Sequence, residues 1–247
     1  MADFRNPTRY GQVAGGVRTD VDEGLRAYML RVYNYMAIAL ALTGVAAYGT
    51  FNLAVSDGQL TPLGVTLYAS AFRWVVILAP LAMVFFLAFR INRMSVAAAQ
   101  TTFWVYSAMV GVSLSTIFLV YTQSSITQTF FITAAAFGAL SLYGYTTKRD
   151  LSAMGAFMVM GLFGLIIAMV VNIFLGSTAL QWAISVIGLI VFAGLTAWDT
   201  QKIKSMYDVV ANDETMMGRT AIMGALSLYL DFLNMFMFLL QFLGNRE

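Results

Sequence analysis

Charged positions cluster along this chain and then vanish for long stretches. None occurs between Arg31 and Asp57, between Arg93 and Lys148, or between Asp150 and Asp199. A helix rising ~1.5 Å per residue crosses the hydrocarbon core of a bilayer with about 20 apolar residues. The two longest runs therefore have room for two crossings each. Polar or flexible residues stand where each turn is needed: Tyr121-Thr-Gln-Ser-Ser-Ile-Thr-Gln128 in one and Gly176-Ser-Thr178 in the other. The pattern predicts seven spans, over 32–53, 69–89, 97–120, 127–146, 152–175, 180–203 and 220–243. In the second, the uncharged run from Trp74 to Phe89 is short and needs Arg73 and Arg90 to snorkel from its ends. Backbone N–H and C=O groups must be satisfied internally in lipid, so the spans are helices.

Composition agrees. The chain is 60% hydrophobic and 11% charged with a mean hydropathy of +0.77, whereas a soluble domain carries about 25% charged residues. The expected fold class is an all-α integral membrane protein, a seven-transmembrane-helix bundle. Residues 1–27 carry arginines, acids, Pro7 and Gly15-Gly16 but no apolar core of a signal peptide. They are expected to form a cytoplasmic N-terminal arm, with 28–247 as one membrane domain. Small residues at Ala134-Ala-Ala136 with Gly138, and at Gly161 with Gly164, are expected to let helices approach closely.

Seven spans sort the basic residues unevenly. Arg5, Arg9, Arg18, Arg26, Arg31, Arg90, Arg93, Lys148, Arg149, Lys202, Lys204 and Arg219 fall on one side, and only Arg73 and Arg246 on the other. The positive-inside rule then places the N-terminus in the cytoplasm and the C-terminus outside. Cysteine and histidine are both absent. That removes disulfides, thiolate chemistry, the usual zinc and copper ligand sets, and the ordinary physiological pH switch. No cofactor and no nucleic-acid partner is expected; the partner is the bilayer.

Two acids fall within spans, Asp199 near the inner end of the sixth and Asp231 inside the seventh. A charge at mid-helix costs roughly 2.5–3.5 kcal/mol on insertion scales, so such residues face the interior and carry a role. A hairpin around the polar stretch Ser205–Arg219, expected as a loop, brings them to similar depth. Ser227, Asp231, Asn234 and Gln241 form a polar stripe on the seventh span, and Ser185, Thr196 and Asp199 a companion face on the sixth. Two carboxylates away from water cannot both ionise cheaply and can share a proton. Without that proton they offer hard oxygens suited to calcium. The structural alternative is simple pairing of an acid with Lys202 or Arg90. An intramembrane aspartyl protease would need Gly-x-Gly-Asp on the later helix, which here reads Leu230-Asp231, and a retinal protein would need a lysine in its last helix. No enzymatic activity is expected.

Tyr143-Gly-Tyr-Thr-Thr-Lys-Arg-Asp-Leu-Ser152, Val171-Asn-Ile-Phe174, Asp199-Thr-Gln-Lys-Ile-Lys204 and Ala225-Leu-Ser-Leu-Tyr-Leu-Asp-Phe-Leu-Asn234 strongly resemble the Bax inhibitor-1 (transmembrane Bax inhibitor motif) family. The likeness runs from about Arg26 to the C-terminus and is nearest to bacterial inner-membrane members. The resemblance implies a seven-helix bundle with the last helix central. It also implies a pH-sensitive calcium leak gated by an aspartate pair matching Asp199 and Asp231, which would also be the calcium-binding residues. An arginine latch at the inner end of the second span is implied too, for which Arg90 and Arg93 are the candidates. Where some members carry a late arginine, this chain has Gln241. The pore-lining stripe would be Thr196, Ser227, Asn234 and Gln241. Another bacterial branch suggests the alternative of an interaction protein that modulates a membrane AAA protease of the FtsH type.

Overall fold

The computed structural model describes residues 8–245, with side chains from Glu23 onward. Seven of its helices are long and apolar enough to cross a membrane. They are α1 (Thr8–Ala54), α3 (Arg73–Arg90), α4 (Val96–Leu114), α5 (Gln123–Thr146), α6 (Ser152–Leu175), α7 (Thr178–Val210) and α8 (Glu214–Leu243). The protein is an all-α, multi-span membrane protein, as its hydropathy pattern implies. Between α1 and α3 lies a feature that the pattern does not reveal. Strands β1 (Val55–Ser56) and β2 (Gln59–Leu60) pair around Asp57-Gly58, both with positive φ, and α2 (Pro62–Gly64) continues into a π-type turn at Val65–Ala69.

Short polar residues set several of the boundaries. Side-chain oxygens of Ser95, Thr122 and Ser177 accept from the first-turn amides of α4, α5 and α7, and Asp213 does so twice for α8. Gly176 ends α6 in the left-handed region that glycine adopts without strain. The Ser205–Arg219 stretch is not a loop. Only 211–213 are non-helical there, because α7 runs to Val210 and α8 begins at Glu214. Polar residues beyond the membrane sit comfortably on a water-facing helix, so polarity marks the membrane edge and not the helix end. The arm boundary at 27/28 falls within the continuous α1, and residues 1–7 lie outside the described residues.

The last helix sits inside the bundle. It packs on α7, α1, α5 and α4, and 61% of its most apolar window is buried against 6% for α6. The latter turns Phe157, Phe163, Ile167 and Phe174 outward, as a lipid-facing helix should. The ends of the bundle are tied separately. At one end Asn245 bonds with Thr122 and Ser125. At the other Arg219 donates to the Asn92 carbonyl and Lys204 to that of Tyr145.

Of the expected glycines only Gly161 makes a close approach, to Val191 of α7, and the tighter ones lie elsewhere. A Cβ at Gly138 or Gly164 would meet nothing within 4 Å. Gly144 instead lies against the Ala197 carbonyl of α7, and Gly111 against the Thr43 carbonyl of α1. Composition reveals that small residues are present; the rotation of each helix decides which of them face a neighbour.

Candidate functional site

Helices α7 and α8 run antiparallel in one register. Gly188 lies against Phe238, the Thr196 hydroxyl reaches the Met235 sulfur at 3.4 Å, and Ile203 packs on Gly224. That register brings the carboxyls of Asp199 and Asp231 close enough to act on one another. Carboxylates only accept, so a hydrogen bond between the two would need a proton on one of them. Asp231 is 4% exposed, and no N–H or hydroxyl among the described residues donates to its Oδ2. Asp199 is half-buried.

The nearest cation does not neutralise the pair by contact. The charge of Lys202 acts on Asp199, but its ammonium lies over the Trp198 ring, 4.8 Å from the centroid. Arg90 ends α3 and Arg93 ends the tight turn Ile91–Arg93. Both are exposed, and neither has a carboxylate partner among the described residues. The arginine engaged with that turn is Arg219 of α8, whose Nη1 donates to the Asn92 carbonyl at 3.0 Å. Its Nε is buried with no hydrogen-bond partner among the described residues.

The polar stripe splits in two. Asn234 donates to the Leu230 carbonyl of its own helix, at 2.8 Å, and Ser227 and Asn234 are half-buried. Gln241 instead bridges helices, accepting a short hydrogen bond from Ser185 of α7. Thr196 is fully buried and donates to the Phe192 carbonyl and to Met235.

Several residues beside the pair carry no obvious signal in the sequence. Tyr33 of α1 bonds with Ser141 of α5 at 2.6 Å, and Ser141 bonds with Thr200, the residue after Asp199, at 3.0 Å. Thr43 meets Tyr229 at 2.7 Å and the Ser107 carbonyl at 2.9 Å. Gln201 brackets the turn before α6, donating to the Arg149 carbonyl and accepting from the Leu151 amide, both at 2.8 Å. The segments 143–152 and 199–204 thus form one structural unit. A spacing signal exists for α5: Ser125, Thr129, Thr133 and Ser141 fall at multiples of four, and all are buried. This helix turns its small polar stripe inward together with Phe137, and leaves Phe131 and Leu142 outward.

Among the described residues no group of three or more acidic, histidine or cysteine side chains could hold a metal. The acidic oxygens described at the site are those of the two carboxyls.

Known proteins resemble this chain over most of its length. The family model described as inhibitor of apoptosis-promoting Bax1 matches residues 25–247. The protein RP147 of Rickettsia prowazekii is 53% identical over 228 residues, covering 92% of each chain. The inner membrane protein YbhL of Escherichia coli is 46% identical over 225 residues, 91% of this chain and 94% of that protein. A protein of Caulobacter vibrioides is 42% identical and covers all of both. On this span and these identities, the chain belongs to the Bax inhibitor family.

Proposed function

We propose that this protein is a pH-sensitive calcium leak of a bacterial inner membrane, gated by the Asp199–Asp231 pair. The observation that carries the reading is the juxtaposition of two carboxyls between α7 and α8, one of them, Asp231, buried. A shared proton acts as a latch across the helix pair. Its loss sets two like charges against each other in a poorly solvated place, and simultaneously makes a site attractive to a divalent cation. Calcium takes about 6–8 oxygens, so two carboxylates leave most of its shell to water. That suits passage better than storage. The inner-membrane location draws on the name of the Escherichia coli relative.

Calcium entry into proteoliposomes containing only the purified chain, followed across pH, tests the reading. Flux should depend on pH in the wild type and lose that dependence in the Asp199→Asn, Asp231→Asn double variant. If liposomes with folded protein show no flux at any pH, the alternative of a protease-modulating interaction protein takes its place.

A further inference from the structure

Helices α1 and α5 both lean on α8, yet a cleft opens between them on the side of the bundle. Its first compartment holds about 620 Å³ and runs from Arg26 past Met29 and Met36 to Phe137 and Gly138. From Arg26 to Met36 the helix rises about 15 Å, half of a ~30 Å hydrocarbon core. The compartment is therefore one leaflet deep. Its polar members besides Arg26 are Tyr33 and Ser141, bonded to each other, and Tyr145, whose ring lies under the Lys204 ammonium. Arg26 is exposed at the mouth and has no carboxylate partner among the described residues.

An apolar cleft within the hydrocarbon layer does not fill with water, which needs two to four polar partners. Left empty, it forfeits the dispersion contacts of its walls. The solvent at hand is a lipid tail, and Arg26, the cation of the lining, selects the charge of the head. We propose that this cleft seats an acyl chain of an anionic phospholipid, with the head group on Arg26.

A clean obstruction is available. A Cβ at Gly138 would meet nothing within 4 Å, so Gly138→Leu fills the cleft without displacing the bundle, which an unchanged melting temperature would verify. The purified full-length chain would be equilibrated in detergent with equal dioleoyl phosphatidylglycerol and dioleoyl phosphatidylethanolamine, and retained lipid counted by native mass spectrometry. Wild type should retain about one phosphatidylglycerol. Arg26→Gln should retain lipid but lose about fivefold of the preference for the anionic species, and Gly138→Leu should retain neither. Equal retention by wild type and Gly138→Leu, or an unchanged lipid ratio in Arg26→Gln, overturns the proposal. So does a second copy of the chain occupying the cleft. The native sequence has no cysteine, so a disulfide-linked dimer formed in membranes by Gly138→Cys would reveal that copy.

Discussion

On the proposed reading Asp199 and Asp231 hold one proton between two acceptors, and each single substitution should expose a different half of that arrangement. An asparagine at 231 keeps the size and can donate to Asp199, so the latch contact survives while the shared proton does not. Asp231→Asn should therefore flatten the pH dependence of calcium flux while the chain still folds, and an unchanged profile would remove this residue from the sensor. Asp150 is the acid to exclude. Its Oδ1 accepts from the Ser152 amide at 2.9 Å, and the hydrogen bonds from Ser152 hold its carboxyl below the ordinary value of 3.8. A depressed carboxylate contributes its stabilisation above the unfolded pKa and loses it as pH falls through the folded one. Asp150 thus stays charged throughout the neutral range. Asp150→Asn should leave the flux profile near neutrality where it is in the same liposome assay.

Between elements, close contact is concentrated at a few positions. Gly144 of α5 lies against backbone of α7, which cannot yield as a side chain can. Gly144→Leu should destabilise the protein by about 1–3 kcal/mol through overpacking, read as a lower melting temperature in detergent. Gly138→Ala on the same helix should instead hold or raise it, by up to about 1 kcal/mol, because the added methyl has open space and the unfolded chain loses freedom. Equal effects at both positions would mean that helix propensity, and not the α5–α7 contact, dominates. Gln201 tests the other joint. Gln201→Ala removes both of its bonds to the turn before α6, each worth about 0.5–1.5 kcal/mol net. Faster amide exchange at Leu151, with little change at Ser95 on a separate turn, is the expected signature.

For the whole molecule, an odd number of crossings puts the two termini at opposite ends. The pairing of Asn245 with Thr122 and Ser125 places the C-terminal end beside the α4–α5 connection and away from the turns at Asn92 and Arg149. The excess of arginine and lysine on the latter side leads us to assign it to the cytoplasm. A topology reporter fused after Glu247 should then be active only outside the cytoplasm, and one inserted at Asp150 only inside it. Activity of the C-terminal fusion in the cytoplasm would invert the assignment.

Hydropathy measures each residue against lipid, one position at a time. The sequence by itself therefore determined the seven crossings, the sorting of basic residues between the ends, and the two acids set within apolar helices. The tertiary structure decided which residues meet. Lipid solvates the apolar faces of a helix alike, so no single-position measure says which face turns inward. That rotation, with the α7–α8 register, brings Asp199 to Asp231, seats Ser185 on Gln241, and leaves Arg90 and Arg93 exposed while Arg219 is tied to their turn. It also opens Gly138 to a cleft while closing Gly144 against a neighbour's backbone. These pairings depend on the angle and spacing between helices far apart in sequence, and packing of the complete bundle sets both.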